Sequence, residues 1–426
     1  MKAVLGIQVG HDAAAALVID GRVVADVAEE RFTRVKNDSS FPLRAIEFCL
    51  KYAGMKSTEL DAIALPSRYL HPEVPVFIDI PKEKLPQEDR TLASRVKQGL
   101  LNYVAPGRSS SIKLPLYEQP MAIGAGCQVE LVDHHRAHAA SAYFTSGLNE
   151  ERALVVTMDG IGDGTAVAVW KGENNRLELL KAWGAESSLG WFYSNCTEAL
   201  GWRHGSDEWK TMGLAPYGQP RYVDQVKKMI RLESDGSYRL DMDFFAYHYS
   251  PDQALSPKFS AVFGREPRDP KISEKSLDPF YCDVASSIQA VTEEALIAMA
   301  RAQQRRTGLK NLCMAGGVAL NSVANAKILR SSGFEQMYVP PAPGDDGGAV
   351  GAALWAYHHL LGQARVEVLD HAYLGSEHGP TAVADFLRAN DIAFTHMEDD
   401  ERFFARVVDD LQAGKVCGWY RGRFEW

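Results

Sequence analysis

An α/β fold containing an internal duplication is what this 426-residue sequence predicts, on three grounds. Short apolar, β-branched runs alternate with helical stretches along the chain. A unit of strand, glycine- and aspartate-bearing turn, and strand occurs twice, once near the N-terminus and once from Ala153. Finally, 46% hydrophobic and 24% charged residues describe a globular chain, not a disordered or fibrous one. At roughly 100–200 residues per domain, two or three domains are expected.

The first unit opens with an apolar strand from Ala3 to Val9, a turn at Gly10-His11-Asp12, and a second strand from Ala13 to Ile19. Asp20-Gly21 is a hairpin signal leading into a third strand, Arg22 to Ala28. A helix is expected from Phe41 to Tyr52, then a strand from Gln128 to Val132 and a helix from His134 to Tyr143. The second unit pairs Ala153–Met158 with Thr165–Trp170 across Asp159-Gly160-Ile161-Gly162-Asp163-Gly164, and Lys171-Gly172 reads as the next turn. Residues 234–278, polar and proline-containing, read as an insertion or lid. A helix over Tyr281–Gln304, a strand over Asn311–Ala315, a helix from about Asn321, a strand over Gln336–Val339, a loop over Pro340–Gly348 and a helix over Ala349–Leu361 complete the duplication. Gly362–Val366 reads as a linker into a further unit, 367–426, with helices at Thr381–Asn390 and Phe403–Ala413.

Lys plus Arg number 46 against 55 Asp plus Glu, a net charge of −9, so the chain lacks the general footprint of a nucleic-acid binder. No apolar run approaches the roughly 18 residues of a membrane span. The N-terminal apolar stretch carries His11 and Asp12 in its middle and reads as paired strands, not a signal peptide. Six cysteines without metal-type spacing suit reduced thiols in a cytoplasm.

The strongest chemical signal is Asp133-His134-His135-Arg136-Ala137-His138. On a helix, His134 and His138 stand one turn apart on one face, as a divalent metal requires. The plain alternative is a helix capped by Asp133 with ordinary histidines. Further ligands would come from loop carboxylates, with Asp159, Asp163, Asp345 and Asp346 as candidates. Two imidazoles with one or two carboxylates suit Fe(II), Mn(II) or Zn(II).

Four other places carry candidate chemistry. The backbone around Asp159, Gly160 and Gly162 is suited to phosphate oxygens, although such a turn is also a good hairpin. Gly316-Gly317, between a strand and the helix starting near Asn321, suits a nucleotide, although a tight turn reads equally well. His11 and Asp12 lie at the turn matching the glycine turn of the second unit, and His11 has the pKa of a general base near neutrality. Lys210, among the apolar and glycine residues of 209–218, can reach a phosphate or substrate, or simply lie on the surface.

Taken together, HDAAAALVIDG (11–21), EERFTRVK (29–36), DHHRAHAASAYF (133–144), DGIGDGT (159–165), SLGWFYS (188–194), KTMGLAPYG (210–218), AGGVALN (315–321) and PGDDGGAVGAAL (343–354) resemble the O-carbamoyltransferases of secondary metabolism, such as those of nodulation factors and of the antibiotics cephamycin, novobiocin and nebramycin. The resemblance implies a duplicated actin-like ATPase fold of the ASKHA type over residues 1–362, and a metal, usually Fe(II), held by His134, His138, Asp159 and Asp345, with Asp346 the adjoining alternative. It further implies that residues 367–426 begin a YrdC-like lobe, in which GWYRGRFEW (418–426) precedes a continuation not in this chain. Formation of carbamoyl adenylate from carbamoyl phosphate and ATP belongs to that lobe, so the chain alone is expected to lack it.

The expected reaction is transfer of a carbamoyl group through carbamoyl adenylate to a hydroxyl of a small natural product, with His11 as base, Asp12 and Lys210 assisting, and Gly160, Gly162, Gly316, Gly317 and Asn321 around the nucleotide. No nucleic-acid or membrane partner is expected, and an oligomer is left open. Two rivals stand beside this reading. A tRNA threonylcarbamoyl transferase is disfavoured by the acidic charge. A non-catalytic actin-like nucleotide-binding module has no use for the histidine pair and loop aspartates.

Overall fold

The computed structural model describes residues 1–68, 127–148, 152–246, 254–272, 277–366 and 369–426. The chain divides into two compact units, Met1–Asp370 and His371–Trp426. The first therefore extends past the expected linker at 362–366, because Leu369 N still donates to the Thr145 carbonyl. Residues 367 and 368 of the expected second domain lie outside the described residues.

The first unit is built on two five-stranded sheets of the same topology. In the first, β1 (Ala3–Gln8), β2 (Ala14–Ile19) and β3 (Arg22–Ala28) form an antiparallel meander. Two further strands, β4 (Ala62–Leu65) and β5 (Gln128–Leu131), run parallel on the other side of β1, giving the order β3-β2-β1-β4-β5. In the second, β6 (Ala153–Gly162), β7 (Thr165–Glu173) and β8 (Arg176–Trp183) repeat the meander. A small hairpin, β9 (Ile230–Leu232) and β10 (Tyr238–Leu240), stands apart. The second sheet is completed by β11 (Asn311–Ala315) and β12 (Gln336–Tyr338), parallel to β6, in the order β8-β7-β6-β11-β12. This repetition of one sheet topology is the internal duplication that the sequence predicts.

The helices account for the sequence of the strands. The outer face of the first sheet is covered by α1 (Leu43–Tyr52), through Ala45, Ile46, Cys49 and Leu50. Between the sheets lie α2 (His134–Thr145) and, near the end of the unit, the helix Gly348–Trp355, in one core with Val4, Ala16, Val155 and Ala168. The inner strands are thus buried on both faces, which explains why they read as continuous apolar runs and not as alternating ones. The far face of the second sheet is covered by α3 (Leu189–Ala199), α4 (Glu208–Leu214), the 29-residue α5 (Pro279–Thr307) and α6 (Ser322–Ser332). The helix Gly348–Trp355 is α7, and it lies close against α2: a Cβ on Gly351 would fall 1.9 Å from the Ala137 carbonyl oxygen.

Three expectations need correction. Strand β6 runs on to Gly162 and β7 to Glu173, because Gly162 pairs with Thr165 and Lys171 and Gly172 pair with Leu154 and Ala153. The turn falls at Asn174-Asn175, before the edge strand β8, whose mixed polar sequence hid it. Strand β4 is a short buried run that the reading of the chain passed over. Residues 234–278 are not merely a lid. Of these, 247–253 and 273–276 lie outside the described residues, but Tyr238, Phe244, Phe245, Phe259 and Phe263 are buried in the core against the second sheet.

The second unit holds α8 (Pro380–Ala389) and α9 (Asp400–Gln412), and neither helix has a buried residue. Leu374 is its one buried large apolar side chain among the described residues.

Candidate metal centre

Helix α2 begins where the sequence places it. Asp133 caps it, accepting from Arg136 N at 3.1 Å, and the first turn presents both His134 and His138 on one side. Their Nε2 atoms lie 3.1 Å apart. Asp159, near the end of β6, places Oδ2 at 3.3 Å from His134 Nε2 and 3.0 Å from His138 Nε2. Asp345, in the tight turn entering α7, places Oδ1 at 3.6 and 3.4 Å from the same two atoms. The four residues named from the sequence, His134, His138, Asp159 and Asp345, are thus brought together, with ligand atoms all within 4.8 Å of one another.

These separations suit a single cation. Ligand atoms bound at about 2.1 Å to one ion stand roughly 3.0–3.4 Å from each other. Asp345 Oδ1 is buried and accepts no hydrogen bond, which is costly for a carboxylate oxygen unless a cation faces it. Without one, protons take its place. Burial alone would depress His138, but the hydrogen bond to Asp159 and the neighbouring carboxylate of Asp345 push its pKa up to about 10. His134 is raised in the same way by Asp345 and Asp159 against the cost of burial. Asp159 is held well below the usual carboxylate range by the two imidazoles, although burial opposes this.

The third histidine has a different task. His135 is buried, with Nδ1 at 2.9 Å from Thr157 Oγ1 and Nε2 at 2.9 Å from the Thr165 carbonyl, so it ties α2 to β6 and β7. Burial, helped by the two neighbouring histidines, depresses its pKa to about 3 and keeps it neutral.

Among the alternative carboxylates, Asp163 is not a ligand. Its side chain is 1% exposed and accepts from Ser67 Oγ at 2.9 Å, Arg68 N at 3.0 Å and His134 N at 2.9 Å. Asp346 Oδ1 accepts from Gly347 N at 3.0 Å and stands outside the cluster.

The glycines lie beside the cluster. A Cβ on Gly162 would meet His134 Cδ2 at 2.0 Å, so its absence makes room for the imidazole. Gly160 donates its N–H to Asp159 Oδ1 at 2.7 Å and orients the carboxylate. Gly316 backs onto Met158, and a Cβ on Gly317 would sit 3.1 Å from Asp159 Oδ1, which places the Gly-Gly turn against the same aspartate. Asn321 does not face outward. It caps α6 through Ala324 N and exchanges hydrogen bonds with Gln289, so its amide is spent inside the protein. Lys210, on α4, pairs with Asp207 at 3.4 Å.

His11 is not a free imidazole. Nδ1 faces Asp12 Oδ2 at 2.9 Å and Nε2 faces the Gly205 carbonyl at 2.8 Å. Both partners are acceptors, so both nitrogens must carry protons. The hydrogen bond to Asp12 raises the pKa to about 9, with burial opposing and the charges of Asp12 and Asp345 adding to the rise. To act as the expected general base, His11 would first have to give up one of these protons. Reading the chain missed Gly205, since nothing in its surroundings signals a partner for His11.

Residues 3–354 match the family described as Carbamoyltransferase N-terminus. The chain belongs to that carbamoyltransferase family. Its members are group-transfer enzymes, and this chain carries their N-terminal portion. An uncharacterized protein of Synechocystis sp. is 36% identical over 443 residues, covering 100% of this chain and 69% of the relative. Nodulation protein NolNO of Sinorhizobium fredii is 31% identical over 421 residues, covering 97% of this chain and 56% of the relative. Nodulation protein NolO of Bradyrhizobium diazoefficiens is 31% identical over 298 residues, covering 69% of this chain. The chain thus spans 69%, 56% and 50% of the lengths of these relatives. Among solved structures, the activator of 2-hydroxyisocaproyl-CoA dehydratase from Clostridium difficile aligns with a TM-score of 0.40 at 15% identity, covering 84% of this chain and 96% of that one. Among the described residues, no helix is long and apolar enough to cross a membrane.

Proposed function

We propose that this carbamoyltransferase chain moves a carbamoyl group from carbamoyl adenylate, made from carbamoyl phosphate and ATP, to the hydroxyl of a small natural product. The observation that carries this reading is the convergence of His134, His138, Asp159 and Asp345 within a domain of this family. These four residues would hold a divalent metal, Fe(II) by resemblance, with Mn(II) or Zn(II) also suited to the donor set. Bound there, the ion supplies a Lewis acid for phosphate or carbamoyl oxygens.

In this reading the acceptor oxygen attacks the carbamoyl carbon, AMP leaves with the electrons of the broken bond, and the hydroxyl proton passes to the departing phosphate oxygen. Gly316 and Gly317, beside Asp159, let the backbone approach the nucleotide. His11 keeps its proton between Asp12 and the Gly205 carbonyl, and this ion pair ties the first hairpin turn to the loop at Gly205. Asp12 is itself held by Asn37 Nδ2 at 2.7 Å, so the pair is rigid. Asn321 is assigned to the support of α6.

The test is mass spectrometry of metal-loaded protein supplied with synthetic carbamoyl adenylate and a panel of hydroxyl-bearing small molecules. Gain of one carbamoyl group by an acceptor, lost in His138→Ala, is the expected result. Transfer that persists in the metal-free protein and in His138→Ala would overturn the reading. A tRNA product in place of a small-molecule one would favour the threonylcarbamoyl relative.

A further inference from the structure

We infer that Asp163 is a positioning residue that sets the coordination geometry of His134. The inference rests on reading the four-residue cluster as a metal centre. The two aspartates of the β6–β7 hairpin divide the work. Asp159 reaches the cluster itself, while Asp163, at the tip with φ +49°, turns back toward the start of α2.

Three hydrogen bonds fix that carboxylate. Two of them, from Ser67 Oγ and Arg68 N, come from the end of the first sheet, and the third comes from the backbone N–H of His134. The guanidinium of Arg68 adds an ion pair to Asp133, the cap of the same helix, at 2.8 Å. The first N–H groups of a helix have no partner within it, and Asp133 satisfies only that of Arg136. Asp163 takes the N–H of the ligand residue itself.

Gly162, the neighbour of Asp163, lies against the His134 ring. The hairpin tip therefore holds His134 by its backbone on one side and by its ring on the other. A tilt of the helix start would swing Nε2 away from Asp159 and Asp345, since the imidazole lies only one side chain's length from the held N–H. Outer groups of this kind usually change metal affinity by about 10- to 100-fold.

Cobalt(II) alone, added to the metal-free 426-residue chain, provides the probe, read by its visible ligand-field bands and by titration. The wild type is expected to develop one set of bands, and Asp159→Ala to lose them. Asp163→Asn keeps the side-chain volume but points a donor amide at one of the three N–H and O–H groups. It is expected to bind cobalt about 10- to 100-fold more weakly, with bands shifted even at saturation. A general loss of stability would lower the melting temperature without shifting the saturated spectrum.

If Asp163→Asn fails to fold, Ser67→Ala removes a single bond to the carboxylate, and the same shift in a smaller degree is expected. Wild-type affinity and bands in the folded variant overturn the positioning role and leave the metal centre standing. Absence of cobalt binding by the wild type overturns the metal centre, and this inference with it.

Discussion

His134 and His138 face each other through their Nε2 atoms at 3.1 Å, with their rings nearly perpendicular at 81°. Protons on both rings, which the two carboxylates favour when no cation is bound, set two N–H donors against each other at that distance. A cation accepted by both nitrogens resolves the conflict, and both carboxylates of the cluster then gain a counter-charge. We expect about one divalent ion per chain, inferred from a single ligand set. Removing one imidazole in His138→Ala should weaken binding more than about 100-fold, since even an outer group is worth about 10- to 100-fold. Metal content and competitive chelator titration measure both quantities, and full occupancy in the variant would contradict the assignment.

Gly162→Ala tests the same ring by crowding. The added methyl would lie 2.0 Å from His134 Cδ2, so the ring or the hairpin must move. Metal affinity should fall by at least about tenfold, the lower end of the effect of disturbing a ligand's surroundings. Far-ultraviolet circular dichroism should be unchanged, because the sheet pairing at Met158 and before it is remote from the methyl. Unaltered affinity would show that the ring is not held there.

His11 makes a prediction about pH with a definite sign. Its pKa is raised to about 9, so the imidazolium persists at neutrality and is lost as pH rises through that value. If its charge assists transfer, the rate from carbamoyl adenylate should decline above about pH 9, the value its hydrogen bond to Asp12 sets. His11→Gln should be slower at neutral pH and lack that decline. A rate that instead climbs to a plateau above the same pH would mark His11 as the general base.

His358 carries the opposite sign. It is buried, with Nδ1 at 3.0 Å from the Gln363 carbonyl, and burial pushes its pKa down to about 4. An unfolded histidine titrates near 6.5, so acid favours the unfolded chain. Its contribution is whole above about pH 6.5 and falls by up to about 2 kcal/mol by pH 5. Thermal midpoints should drop over that range, and less steeply for His358→Gln, whose amide still donates to Gln363. Equal slopes would indicate that His358 is protonated within the fold.

Much of this arrangement was legible in the sequence, and the reasons are local. The spacing of His134 and His138 needs only a helix, and Asp133 announces one. The strand ends bearing Asp159 and Gly316 are marked by apolar runs followed by glycine. What was not legible depended on partners distant in sequence. Asp163 looks as good a ligand as Asp159 until Ser67, Arg68 and His134 are seen to occupy its oxygens. His11 reads as a base until Gly205 takes its second nitrogen. Asn321 is a nucleotide candidate until Gln289 claims its amide. The core role of Phe244, Phe245 and Phe259 was hidden because their segment has the composition of a loop.

The second unit, residues 371–426, leaves Phe386, Phe404, Leu411 and Trp419 about half exposed, and both of its helices lack a buried residue. Unfolding such a segment uncovers little new apolar surface, and the heat-capacity increment of melting scales with that surface. In a calorimeter the chain should therefore show one dominant transition whose heat-capacity step is set by the two-sheet unit alone. Denaturant should reveal the same imbalance, with a slope smaller than 426 residues of uniformly packed chain would give.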